Sequence, residues 1–273
     1  HADELINIYV LRPVAALFVW VLYPTSVTPN QVTIAAICAG VASACVYALN
    51  TPAAIAAAGI LILAKDILDD ADGQLARAKA QYSRRGRFLD SIGDFAVDLI
   101  VFAAITYSVY QAHPGIGTAM LGFASLTGIT LRVSYHVFYQ ASFLHLENRY
   151  TLNRIIEEIT DEDRRGDPVA LQLQRIFVVI YGWQDRLMYR IDRWCMGSHF
   201  DVQHLPVWYS DRFGLRLSGL LGFGTEITLL AVCSWLNGLY AYLYLNVFVL
   251  NGVWLASVLY RRLALAKNLP GIA

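Results

Sequence analysis

Six blocks of this chain, residues 31–50, 53–72, 88–111, 115–139, 213–236 and 239–260, are each apolar over about the 20 residues a helix needs to cross the hydrocarbon core of a bilayer. Inside lipid a backbone must satisfy its own hydrogen bonds, so long apolar blocks of this kind fold as helices. Of 273 residues, 57% are apolar and 15% charged, with a mean hydropathy of +0.46. That is outside the range of ordinary soluble domains. The expected fold is an all-α integral membrane protein, a bundle of six transmembrane helices. Basic and acidic residues are equal in number, 21 of each, which excludes a global basic field of the kind that draws nucleic acid. Cys38, Cys45, Cys195 and Cys233 form no CxxC pair and read as packing residues. No charged, then apolar, then small-residue leader stands ahead of the first span, so none is expected.

The flanking segments complete the plan. Residues 5–23 are apolar but contain Arg12 and Pro13; they read as an N-terminal amphipathic helix lying in the interface, with a seventh span as the alternative. Thr28-Pro29-Asn30 is a turn suited to capping the next helix. Residues 145–167 are dense in charge, and 168–195 repeat apolar positions at a helical period, Phe177, Leu187, Met188 and Ile191 among them. They form an extra cytoplasmic insertion whose apolar face is expected to meet the membrane. The chain therefore divides into 1–30, 31–144 with a chemical motif at 65–98, 145–212, and 213–273. Connections at 50–52, 112–114 and 237–238 lack Lys and Arg, whereas the opposite side carries Arg12, Arg77, Lys79, Arg84, Arg85, Arg87, Arg261, Arg262 and Lys267. The positive-inside rule places that side and both termini in the cytoplasm, in a multi-pass protein of a bacterial or archaeal inner membrane. His136, His145, His199 and His204 show no ligand spacing and read as ordinary interfacial residues.

Ionisable residues within spans are costly and are functional candidates by default. Here they gather where the second block ends and the third begins: Lys65, Asp66, Asp69, Asp70, Asp72, Arg77, Asp90, Asp94 and Asp98. At about 100° per residue, Asp69, Asp72 and Ala76 share one helix face, and Asp90 and Asp94 lie one turn apart. On antiparallel neighbours these carboxylates face one another and repel. Hard divalent cations, Mg²⁺ or Mn²⁺, relieve that repulsion and polarise phosphate oxygens. The rival reading is a salt-bridge network in which the aspartates neutralise Lys65, Arg77 and the arginines at 84–87.

The string Asp69-x-x-Asp72-Gly73-x-x-Ala76-Arg77, eight residues, then Gly86-x-x-x-Asp90-x-x-x-Asp94 resembles the signature of the CDP-alcohol phosphotransferase family, at every position of the pattern. It covers about a tenth of the chain. The resemblance implies a homodimeric membrane enzyme of phospholipid synthesis with two divalent metal ions on Asp69, Asp72, Asp90 and Asp94. It makes Asp94 the general base. It implies that Asp69, Gly73, Ala76 and Arg77 receive the cytidine diphosphate, the small residues by exposing helix backbone and Arg77 by pairing with phosphate. Gly86 then fits a close approach of the second and third spans. The segment 88–94 has no histidine, which favours transfer of a phosphatidyl group from a CDP-linked lipid donor, CDP-diacylglycerol, to a small alcohol, over the branch that uses CDP-choline or CDP-ethanolamine with diacylglycerol. Arg84, Arg85, Arg87 and Arg132 are candidates for an anionic acceptor, with plain positive-inside charge or contact with anionic membrane lipid as the alternative. Outside the family, a membrane prenyltransferase or a transporter with aspartates along an ion path is the remaining reading.

Overall fold

A computed structural model describes residues 4–147, 157–197 and 201–266 of the chain. His199, Lys267 and part of the charged loop lie outside the described residues. Among those described the structure is helical, with no strand. The helices are α1 (Asn7–Leu22), α2 (Pro29–Ala48), α3 (Pro52–Ala78), α4 (Arg84–Ala112), α5 (Ile116–Leu146), α6 (Asp161–Arg165), α7 (Pro168–Met196), α8 (Leu205–Ser210), α9 (Arg212–Trp235) and α10 (Leu239–Leu265). Their starts follow local chemistry. Thr28 caps α2 reciprocally with Gln31, Thr51 caps α3, Ser83 caps α4 and Asp167 caps α7, each side-chain oxygen accepting from an N–H that the helix leaves unpaired.

Four helices, α2, α5, α9 and α10, are long and apolar enough to cross a membrane. Six were expected; the two blocks that fall outside this group are α3, with Lys65 and four aspartates in its second half, and α4, which opens with three arginines and carries three aspartates. The four cysteines are free; Cys195 and Cys233 are buried, while Cys38 and Cys45 are exposed rather than packed inside.

Helix α2 packs against both α3 and α4 because small residues let backbones approach in an apolar setting. Ser43 Oγ donates to the carbonyl of Ala58 at 2.9 Å. A Cβ on Gly40 would lie 2.4 Å from Val97 Cγ1 and 3.3 Å from Val97 Cβ, and one on Gly93 2.3 Å from Ile37 Cδ1. Val97 is fully buried and β-branched, so it has little rotamer freedom with which to give way. Gly40→Ala is expected to cost about 1–3 kcal/mol, read as a lower thermal midpoint in detergent. An unchanged midpoint would mean that α2 and α4 separate freely.

The insertion helix α7 lies along α4 and α5. Its inward face was expected to meet lipid; instead Phe177 packs on Phe88 with ring centroids 5.3 Å apart, and Met188, Leu187 and Ile191 join Tyr135, Phe138 and Tyr139 of α5. Asp192 accepts from Tyr139, Trp208 and Tyr209 at 2.7–2.8 Å. Ile176 and Trp194 remain exposed. The apolar stripe is thus wide enough to serve the bundle first.

Helix α9 breaks at residues 220–222. The Glu4 carboxylate enters the break and accepts from the Thr225 N–H at 3.0 Å and its hydroxyl at 3.4 Å, capping the second half of α9. Only glycines leave room: a Cβ on Gly222 would sit 2.0 Å from Glu4 Cδ, and one on Gly224 2.0 Å from Asn7 Oδ1. His136, expected at an interface, is buried instead, with Nε2 4.0 Å from Glu4.

Candidate active site

The end of α3 and the start of α4 are joined by a tight turn, in which Gln81 N–H donates to the Ala76 carbonyl at 2.9 Å and Ala80 takes a left-handed φ of 52°. The turn reverses the chain, and carboxylates from both helices meet beside it. One oxygen from each of Asp69, Asp72 and Asp90 lies within 4.8 Å of the others. Asp72 is 7% exposed and is oriented by α2, whose Thr33 hydroxyl donates to it. Three hard oxygen donors this close suit a divalent cation, so these residues fit a metal of the kind the motif implies.

Asp94 stands apart from that trio. The Lys65 ammonium donates to Asp94 and lies 3.8 Å from Asp69. Lys65 is fully buried, with its Nζ 4.8 Å from the Phe223 ring centroid. A general salt-bridge network is not what forms. Lys65 is paired as that reading expected. Arg77 makes no ion pair among the described residues, and Arg84, Arg85 and Arg87 bind other carboxylates.

Next to the trio, α3 presents an open face. A Cβ on Gly73 would meet nothing nearer than the guanidinium of Arg77, at 3.7 Å. No helix packs there among the described residues, which removes helix packing as the reason for the glycine. Ala76 is half-buried and Arg77 exposed. Gly86 has a different neighbour from the one expected: its Cβ would lie 2.7 Å from Asn30 Oδ1 of α2, because α2, not α3, is the helix against which α4 begins.

The arginines singled out for an anionic acceptor are spoken for within the fold. Arg84 pairs with Asp163 and, at 3.0 Å, with Glu157; Arg87 reaches Glu157 at 3.2 Å; Arg85 pairs with Asp167. Together with Gln174 they line a polar cavity of about 620 Å³. Tyr181 adds a hydroxyl bond to the Ser91 carbonyl at 2.7 Å, so the segment from Glu157 into α7 clasps the start of α4. Arg132 is elsewhere, fully buried in the bundle. It donates to Glu226 of α9 at 2.8 Å, and to the Asn246 carbonyl at 3.0 Å and Asn251 Oδ1 at 2.5 Å, both of α10.

The clasp has a defined response to acid. Burial works to raise the Asp163 carboxyl, but the Thr160 N–H and the Arg84 and Gln174 side chains outweigh it and hold it well below the usual carboxylate range. Arg85 likewise holds Asp167 below that range. A depressed carboxylate stabilises the fold above its unfolded value, about 3.9, and that stabilisation is lost as pH falls through the folded value. Asp185 of α7 is pushed up to about 6 by burial; its folded form takes up a proton first, so stability rises as pH falls through 6. Protection of α7 from proteolysis is therefore expected to hold or increase from pH 7 to pH 5. Release of α7 over that interval would contradict these pairings.

Sequence reasoning gave no role to Thr33, Tyr181, Glu157 or Glu226. Glu226, an acid within an apolar block, was a readable signal; the other three act across distant segments and leave no local pattern.

A profile of the CDP-alcohol phosphatidyltransferase family matches residues 26–194. A "Bifunctional IPC transferase and DIPP synthase" of Thermococcus kodakarensis is 42% identical over 82 residues, 30% of this chain and 18% of that protein. A protein of the same description from Aquifex aeolicus is 31% identical over 135 residues, 48% of this chain and 31% of that protein. The chain thus covers less than a third of the length of these relatives.

Proposed function

Since the chain belongs to the CDP-alcohol phosphatidyltransferase family, we propose that it transfers a phosphoryl-linked group from a CDP-activated donor to an alcohol, releasing CMP, with CDP-diacylglycerol as the donor. The supporting observation is one juxtaposition: three converging carboxylates beside a bare stretch of helix backbone that ends in Arg77, which makes no ion pair among the described residues. In this reading α2, α3, α4, α5, α9 and α10 are six spans, and the turn between α3 and α4 lies at the cytoplasmic surface with the other basic connections.

Asp69, Asp72 and Asp90 would hold a divalent metal, Mg²⁺ or Mn²⁺, which when bound neutralises their repulsion and polarises the diphosphate. Gly73 and Ala76 let cytidine diphosphate lie against α3, and Arg77 offers its fork of donors to a donor phosphate. Asp94 takes the proton of the acceptor hydroxyl. The hydroxyl oxygen bonds to the phosphorus distal to cytidine, the anhydride P–O bond breaks, and CMP leaves with the bonding pair, its charge met by Arg77.

A second reading keeps the chemistry and changes the donor to a CDP-linked polar alcohol, with an alcohol phosphate as acceptor. It is favoured by the synthase named in the relatives. The test is CMP release by purified protein with Mg²⁺ or Mn²⁺, given CDP-diacylglycerol, CDP-inositol, or CDP-choline with diacylglycerol, against serine, glycerol phosphate and inositol phosphate. Turnover with CDP-diacylglycerol supports the first reading, and turnover with CDP-inositol alone replaces it. Asp94→Asn is expected to abolish turnover while CDP still binds; undiminished turnover would reject Asp94 as the base.

A further inference from the structure

We propose that Lys65 takes the place of a second cation, so that each chain binds one divalent ion, on Asp69, Asp72 and Asp90, and the Lys65 ammonium fixes Asp94. This departs from the two ions that the motif implies, and it rests on the metal-dependent reading given above.

The four motif carboxylates are not equivalent. Three bring oxygens within 4.8 Å of one another, and Asp94 is not in that group. Its oxygen Oδ1 is bonded to the Lys65 ammonium, which also lies 3.8 Å from Asp69. An ion shared by Asp69 and Asp94 would need both carboxylates at about 2.0–2.2 Å, within the volume that the ammonium occupies. Two cations in one such space repel strongly in a poorly screened interior. Lys65 is not placed to swing aside: its side chain is 0% exposed, its head lies near the Phe223 ring, and Asp66 and Asp98 add to the negative surroundings that retain it. An ammonium has a compact charge and three donors, enough to bridge two carboxylates from different helices as a metal would. It cannot be removed by chelation.

Lys65 is therefore a positioning residue. It fixes the Asp94 carboxylate, and it belongs to the fold rather than to the metal supply. The lysine stands four residues before Asp69, on the helix face that carries the motif.

The test counts bound Mn²⁺ per chain on purified protein by equilibrium binding and electron paramagnetic resonance, with and without CDP. One ion per chain in the wild type, in both conditions, and two spin-coupled ions in Lys65→Gln is the expected result. Lys65→Arg should stay at one, which guards against a Gln variant that misfolds. Two ions in the wild type would overturn the proposal. One ion in both wild type and Lys65→Gln would overturn the role given to Lys65. No bound ion in any of them would instead overturn the metal-dependent reading on which the proposal stands.

Discussion

Replacing Asp72 with Asn is expected to lower CMP release on the order of 10²–10³-fold and to remove Mn²⁺ binding. Asp72 is the best-buried member of the trio and the one fixed by a third helix, through Thr33. An amide at that position keeps the shape but carries no charge, so Asp69 and Asp90 lose the partner that makes the site attractive to a divalent ion. The magnitude follows from the loss of one preorganised electrostatic element in a water-poor site, about 3–4 kcal/mol of transition-state stabilisation. Thr33→Val keeps the charge and loses only the orienting bond, so a smaller loss, on the order of 10-fold, is expected from about 1.4 kcal/mol. Asp72→Asn that binds Mn²⁺ and turns over normally would remove the carboxylate trio from the chemistry.

The largest loss of stability is expected at the ion pair of Arg132 and Glu226. Both side chains are almost fully buried, and Glu226 also accepts from the Tyr242 hydroxyl at 2.8 Å and from Asn246. Glu226→Ala leaves a guanidinium uncompensated between α5, α9 and α10, at a cost of about 3–5 kcal/mol. The measurement is the thermal midpoint in detergent. Arg132→Met combined with Glu226→Leu should recover much of the loss, because matched apolar replacement removes the charge along with its partner. The same pair separates two roles for Arg132. A structural arginine lowers the midpoint and leaves KM for an anionic acceptor unchanged, whereas an acceptor ligand would raise KM at constant stability.

Much of the site could be read from spacing alone. Asp69, Asp72 and Asp90 come together as helical periodicity and a short turn require, and Thr28 caps α2 as its residue type suggested. What spacing could not convey was competition between partners. Arg84, Arg85 and Arg87 looked available because their carboxylates stand 70 or more residues away in the chain. Asp94 looked equivalent to the other motif aspartates because the register of α3 against α4 decides which of them Lys65 meets. The face of α7 was read correctly as apolar, but apolarity does not distinguish lipid from a neighbouring helix, and α4 and α5 took that face. Gly86 was matched to the wrong neighbour for a related reason: a missing side chain records that something comes close, not what does.

The stitch between Glu4 and Thr225 has a bearing on how the molecule is made. The two residues are separated by 221 positions, so a ribosome that has delivered α1 through α5 still leaves the Glu4 carboxylate without the amide that accommodates it. Burial of that carboxylate must await emergence of α9, since an acid placed in an apolar interior without its donors is strongly disfavoured. The early helices can be threaded and loosely gathered in order of synthesis, but the seam that closes the bundle is among the last contacts to form.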